Sequence, residues 1–338
     1  MTTTAALAVL RLGTRRSALA RAQAETVAAR LRAAGQPVEL VAVHTEGDRL
    51  ADRALRDLGG SGVFVADLRA RLLAGEVDVV VHSLKDLPTA DVAGLALAAV
   101  PPRENPRDAV VSRGGLPLLA LPPGAIVGTG SPRREAQLRH VRPDLDVRPI
   151  RGNVDTRLRK VADGEFDAVV VAAAGLARLG RIAEASEILD PAVMLPAPGQ
   201  GALAVECRAA DLGEDERLAA LMSGLDDPAT RAAVTAERSV LAALQAGCSA
   251  PVAALAEVQA DGRLRLEAAV IARAGTAVVR DSLTGAVEEA VDLGRRLATR
   301  LLAHGAAPIL ADQRGRTTTH APDNPGRYGD DERTGQRQ

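Results

Sequence analysis

Arginines recur in this chain where helices are predicted to begin, which is where a positive side chain is least welcome. The clearest case is Gly128-Thr129-Gly130-Ser131-Pro132-Arg133-Arg134. A strand is expected to end at Gly128, Ser131 is a good N-cap, and Pro132 suits the first helical position. Two arginines then fall in the first turn, at the positive end of the helix dipole, where acids would be expected. An anion at this helix N-terminus, held by backbone N–H groups and both guanidinia, would explain them; two solvated arginines pointing away is the alternative. Arg151-Gly152-Asn153 repeats the pattern, with Asn153 as cap and Arg157 one turn in, at the edge of the buried face formed by Val154, Leu158 and Val161. Arg11, Arg15 and Arg16 occupy the equivalent turn after the first strand, and Arg178 lies just past another. Genome coding bias can enrich arginine but does not by itself put it at successive strand-to-helix turns. Together these positions point to a cleft for a ligand carrying several carboxylates or phosphates.

Two further segments carry reactive groups. His82-Ser83-Leu84-Lys85-Asp86-Leu87-Pro88 follows a buried strand and places one acid beside one of only two lysines in the chain. Asp86 can act in proton transfer or stabilise a developing cation; equally, it can be a turn former before Pro88 with a surface lysine beside it. Cys248 stands in Gly247-Cys248-Ser249-Ala250-Pro251, a loop after a helix, whereas Cys207 lies in an apolar strand and reads as a small buried hydrophobe. The loop cysteine is the better candidate for covalent chemistry. The five histidines are scattered, so no metal site is proposed.

These groups sit on a recurring frame. Strands are predicted at Val9–Gly13, Val38–His44, Val77–Val81, Ile126–Gly128, Asp146–Ile150, Ala168–Ala173 and Ala202–Cys207, with helices at Ser17–Ala33, Phe64–Ala74, Pro132–His140 and Val154–Ala162. The alternation implies βαβ units and parallel sheets covered on both faces. Pro101–Pro106 and Leu195–Gly201 look like two crossings between lobes, so that the chain leaves one lobe, builds a second and returns. A third unit follows, with helices at Thr230–Ala246 and Val287–His304 and strands at Leu264–Ala272 and Ala277–Leu283. The resulting division is 8–102 with 200–224, then 103–199, then 225–312, with 313–338 as a disordered tail lacking any apolar run.

Composition removes other classes. The chain carries 42 Lys+Arg against 43 Asp+Glu, which argues against a general nucleic-acid binder. Phe64, Phe166 and Tyr328 are its only aromatics, too few for base stacking. Two cysteines 41 positions apart make neither a disulfide framework nor a CxxC zinc site. The apolar stretch Ala5–Leu10 is too short to span a bilayer and runs into Arg11, so a cytoplasmic protein without membrane contact is expected.

The ordered motifs RLGTRRSALA (11–20), HTEGD (44–48), GVFVADL (62–68), VDVVVHSLKDLP (77–88), RENPRDA (103–109), VGTGSPRR (127–134), RGNVDTRL (151–158), AAAGLARLG (172–180), LPAPGQGALAVECR (195–208), TAER (235–238) and AGCSAPV (246–252) resemble the porphobilinogen deaminase (hydroxymethylbilane synthase) family from about Leu10 to Leu310. The resemblance implies an α/β protein with two doubly wound lobes like those of periplasmic binding proteins and a small α/β C-terminal domain. It implies a transferase of tetrapyrrole (haem) biosynthesis that joins four porphobilinogen molecules head to tail, releasing ammonia at each step, before hydrolysis frees hydroxymethylbilane. The primer would be a dipyrromethane cofactor held by a thioether to Cys248, and the family's catalytic aspartate falls on Asp86. Its cofactor- and substrate-binding residues fall on Arg11, Arg15, Arg133, Arg134, Arg151, Arg157 and Arg178, with Ser17, Lys85, Thr129, Ser131 and Gln200 nearby; Phe64 is the one aromatic expected near the cleft. A monomer is the family's usual state.

The sequence departs from the family at Ser61 and Asp57, where many relatives carry lysine, and at Ala246-Gly247, which replaces Gly-Gly. Two rival readings come from other classes. An anion-binding module without chemistry accounts for the lobes and arginine turns but not for Cys248, and a ligand-sensing regulator would need a DNA-reading helix-turn-helix that the C-terminal unit does not supply.

Overall fold

The computed structural model describes residues 8–43, 62–247 and 250–318. The chain begins with β1 (Leu10–Arg15), α1 (Ala18–Ala33), β2 (Val38–Val43), α2 (Gly62–Leu73), β3 (Val79–Ser83) and β4 (Leu95–Ala99), with a 3-10 turn at Leu84–Asp86 directly after β3. Next come β5 (Asp108–Ser112), β6 (Ile126–Gly128), α3 (Pro132–Val141), β7 (Asp146–Arg148), α4 (Val154–Ala162), β8 (Ala168–Ala172), α5 (Ala173–Arg178) and β9 (Glu187–Ile188). Then β10 (Leu203–Arg208), α6 (Ala209–Glu214), α7 (Glu216–Leu225) and α8 (Pro228–Ala243) lead to β11 (Val252–Val258), β12 (Leu264–Ile271), β13 (Val278–Gly285), α9 (Ala290–Leu301) and α10 (Ala307–Thr318).

The strands form three sheets, ordered β2-β1-β3-β10-β4, β7-β6-β8-β5-β9 and β11-β12-β13. The first two are lobes of one design. In each, three strands run parallel and the fourth runs against its neighbours: β10 is antiparallel to β3 and β4, and β5 to β8 and β9. The expected wholly parallel sheets are therefore mixed. The reason lies in the connectivity, since both reversed strands are entered by a segment arriving from the other lobe. That segment reaches the sheet at the carboxyl ends of the parallel strands and can only run back down it.

Apolar periodicity explains the covering helices. On α1, Ala24, Val27, Ala28 and Leu31 share a core cluster with Leu12, Val79, Val81 and Val205, and each valine or leucine so withdrawn from water contributes roughly 1.5–3 kcal/mol. On the third sheet, α8 and α9 cover one face, with Ala236, Val240, Leu293 and Leu297 packed on Ala254, Leu266 and Ala268. The two helices meet at Gly294, where a Cβ would lie 2.5 Å from the Ala236 carbonyl oxygen, so no larger residue fits that crossing.

Ile126–Gly128 and Val154–Ala162 are observed with the bounds read from sequence. The strands β4, β5, β9 and β11 and the helices α5, α6 and α7 were not expected. The helix α10 continues to Thr318, past Asp312 where order was expected to end, propagating from the buried Leu310.

Candidate functional site

The chemistry gathers at one end of the two lobes. Arg15 ends β1, Lys85 and Asp86 follow β3, Thr129 to Arg134 follow β6, Arg151 to Arg157 follow β7, and Arg178 closes the helix after β8. The reversed strands contribute their starts to the same end: Asp108 is the first residue of β5, opposite Ala172, and Gln200 precedes β10. Carboxyl ends of parallel strands are where open α/β sheets bind ligands. Arg11 is the exception. It stands at the amino end of β1, where its guanidinium bonds Asp78 (2.7 and 3.1 Å) and the Gly75 carbonyl. The expectation that it shares the strand-end turn is corrected: one β-strand is long enough to carry Arg11 and Arg15 to opposite ends of the sheet.

Ser131 and Asn153 cap as the sequence implies, and Ser17, expected as the first helical residue, is a cap as well. Ser17 caps α1 by accepting from the Ala20 N–H, Ser131 caps α3 by accepting from the Arg134 N–H, and Asn153 caps α4 by accepting from the Thr156 N–H. The Thr129 hydroxyl is buried and accepts from the Ser131 N–H (3.2 Å).

What balances the two first-turn arginines of α3 is an acid of the chain itself. Asp108 is fully buried, with Arg134 donating to Oδ1 at 2.7 and 3.0 Å and the Arg133 Nη1 at 2.8 Å from Oδ2. Burial alone would raise its pKa, yet the facing guanidinia of Arg133 and Arg134 hold it well below the usual carboxylate range. Arg133 also donates to the Leu195 carbonyl and Arg134 to that of Val170, so both are structural members of the lobe as well as part of its mouth. Sequence reasoning missed Asp108; the signal was a lone acid opening the apolar run Asp108–Ser112 after a proline-rich crossing.

Gln200 ties the lobes together at this point. Its amide donates to Asp108 (2.9 Å) and the Pro106 carbonyl (2.7 Å), and its carbonyl oxygen lies 3.4 Å from both the Lys85 ammonium and Arg134. Burial, reinforced by Arg134, lowers Lys85 to about 8. Arg157 is lowered to about 10 by burial and then by Arg134 and Arg151, and the only hydrogen bond of its guanidinium among the described residues goes to the Gly152 carbonyl (2.9 Å). Burial likewise lowers Arg178, which donates to the Gly201 carbonyl (2.7 Å). One buried carboxylate thus serves two guanidinia, while Lys85 and Arg157, partly desolvated and repelled by neighbouring cations, form no hydrogen bond with a carboxylate among the described residues. Such a cluster fits a ligand bearing several carboxylates, and it fits no apolar or cationic one.

Family models match both parts of the chain. "Porphobilinogen deaminase, dipyromethane cofactor binding domain" covers residues 10–216, and "Porphobilinogen deaminase, C-terminal domain" covers 231–303. The chain belongs to the porphobilinogen deaminase family. Similar curated proteins carry that name in Acidothermus cellulolyticus (62% identical, over 96% of this chain and 97% of that protein) and Thermobifida fusca (55%, over 89% and 96%). Among solved structures the chain is similar to a methionine-binding lipoprotein of Bacillus subtilis (13% identical, TM-score 0.41, over 65% of this chain and 90% of that one).

Family membership leaves some expected site residues undescribed. Cys248, residues 44–48, Asp57 and Ser61 lie outside the described residues, as does the Phe64 side chain. Cys207 is described: it is fully buried in β10 and burial pushes its thiol up to about 11, which makes it unreactive as a nucleophile. Among the described residues no helix is long and apolar enough to cross a membrane, and no group of three or more His, Cys, Asp or Glu is arranged to hold a metal ion.

Proposed function

We propose that this chain catalyses the head-to-tail condensation of four porphobilinogen molecules onto a dipyrromethane primer, releasing ammonia at each addition and freeing hydroxymethylbilane by hydrolysis, a transferase reaction. The observation that carries the proposal is the cation-rich cluster of Lys85, Arg133, Arg134 and Arg157 around the Asp86 turn, in a chain of this family. Each pyrrole of substrate and product bears an acetate and a propionate, so the growing chain is polyanionic and matches the surplus of positive charge.

The primer is attached by a thioether to Cys248, since the other cysteine, Cys207, is fully buried in β10. When bound, it supplies the electron-rich pyrrole carbon to which the first substrate is joined. Arg133, Arg151, Arg157 and Lys85 bind its carboxylates, with Ser17, Thr129 and Ser131 donating from the caps, while Gln200, whose amide N–H groups are taken by Asp108 and the Pro106 carbonyl, orients Lys85 and Arg134. An ammonium of pKa about 8 is charged at neutral pH and becomes more firmly so once an anion sits beside it. Asp86, on the turn after β3, is the carboxylate assigned to the substrate: loss of ammonia leaves a positive charge spread over the substrate pyrrole, which the carboxylate would stabilise while holding the pyrrole N–H. Arg134 and Asp108 keep the cluster rigid, so that little reorganisation is needed as charge develops.

The test is direct. Purified protein given porphobilinogen should release one ammonia per molecule consumed and accumulate a linear tetrapyrrole. Asp86→Asn or Asp86→Glu should keep the primer but lose most turnover; unchanged kcat in either would remove Asp86 from this role.

A further inference from the structure

The turn that carries Asp86 is held from outside the cleft by α8. Inside the lobe, the Leu84 N–H donates to the Ala202 carbonyl (3.0 Å) and the Leu87 N–H closes the turn on the Leu84 carbonyl (3.1 Å). The next two carbonyls, of Leu87 and Pro88, both accept from the guanidinium of Arg238, at 2.8 Å each. One helical turn earlier, Val234 is buried with Leu84, Leu87, Val100 and Ala202 in a single apolar cluster. Residues four apart lie on one helix face, so α8 grips the turn twice, by packing and by a two-pronged hydrogen bond. A guanidinium presents two donors in a fixed plane, which an ammonium does not.

The helix itself is fixed. Its neighbouring Glu237 is fully buried and accepts from Arg103 (2.6 and 3.0 Å), the Gly199 N–H (2.6 Å) and the Ala256 N–H (2.8 Å). Those partners belong to both crossings and to the third sheet. From the same helix, five residues past its end at Ala243, the chain reaches Cys248.

We propose that Arg238 is a positioning residue for Asp86: by holding the Leu87 and Pro88 carbonyls it fixes the turn, and so the carboxylate, relative to the primer attached beyond the end of the same helix. The inference rests on the role assigned to Asp86 above. A misplacement of about 1 Å can cost on the order of 100-fold in rate without loss of binding.

The test compares Arg238→Ala and Arg238→Lys with the parent as holoenzymes, reading primer content by intact mass, KM, kcat and the response to millimolar guanidinium chloride. Expected are a retained primer, KM within about threefold, and kcat reduced about 10- to 100-fold in Arg238→Ala. Guanidinium should restore part of that loss in Arg238→Ala, and Arg238→Lys should recover only part of the rate. Arg231→Ala, which removes a guanidinium that the same helix offers to the Leu97 and Ala98 carbonyls, should keep its kcat and show no response. A folded, primer-bearing Arg238→Ala with kcat within twofold of the parent would overturn the proposal, as would a loss that follows only the folded fraction and ignores guanidinium. Should Arg238→Ala not fold, parental kcat in Arg238→Lys overturns it and a lowered kcat at unchanged KM supports it. Failure of the underlying reading looks different: the parent would not consume porphobilinogen, or Asp86→Asn would keep full turnover.

Discussion

The two lobes share a strand order and each carries a buried carboxylate on its reversed fourth strand, yet the two carboxylates serve different ends. Glu206 lies within β10, opposite Val80, and takes Arg69 through two bonds (2.9 and 2.7 Å) with the His82 Nε2 at 3.2 Å. Burial would raise its pKa, but His82 and Arg69 bring it down to about 2. The cluster is enclosed by the lobe and its charges are matched. Asp108 opens β5 at the mouth of the cleft and takes Arg133 and Arg134, while among the described residues Lys85 and Arg157 close by form no such pair. The same topological device is therefore structural when set inside the strand and, in the proposed function, anion-selecting when set at its cleft end.

The largest expected effect separates these roles. Arg69→Leu leaves the buried Glu206 with only His82 beside it and should cost about 3–5 kcal/mol, measured by denaturant unfolding, while the surviving fold loads primer normally. Glu206→Gln should cost roughly 3 kcal/mol at pH 7, the equivalent of its fall from 4.5 to about 2. The sign follows from that depression: the stabilisation is fully present above about pH 4.5 and is lost as pH falls toward 2, so parent and Glu206→Gln should converge in acid.

In the second lobe the balance reverses. Arg157→Leu should weaken primer loading about 10- to 100-fold, the loss of a charged hydrogen bond, with no fall in melting temperature, because it removes a desolvated and repelled cation. A large fall in stability would place Arg157 with Arg69 and dissolve the contrast. Lys85 should give a smaller effect: its ammonium loses charge as pH rises through about 8, so primer loading of the apoprotein should fall roughly tenfold from pH 7 to 9, and Lys85→Arg should flatten that profile. Smallest is Arg11→Ala, whose partner Asp78 lies at the far end of the sheet; kcat/KM should stay within twofold, and a larger loss would return Arg11 to the site.

Much of this was legible in the sequence. Arg133, Arg134, Arg151 and Arg157 were found because Ser131, Pro132 and Asn153 announce helix starts, and a strand end followed by a cap fixes where the next side chains go. Asp86 and Lys85 were visible beside a buried strand. Asp108 was not, because which carboxylate meets two arginines depends on β5 running backwards beside β8, a pairing that sets Asp108 opposite Ala172, 64 residues on in sequence. Arg11 misled for the opposite reason: its spacing from Arg15 is local, but a strand sends its two ends to different surfaces. Gln200 matched a motif, while its bridging of Lys85, Asp108 and Arg134 needed the crossing in place.

The central claim, that this chain builds its product on a primer anchored at Cys248, is tested most directly by the intact mass of the protein purified from cells that make porphobilinogen, with Ehrlich's reagent as a colour check. The parent should weigh more than its sequence by a two-pyrrole adduct and colour with the reagent, and Cys248→Ser should show the bare mass and no colour. A parent protein of unmodified mass, or an adduct that survives in Cys248→Ser, would contradict it.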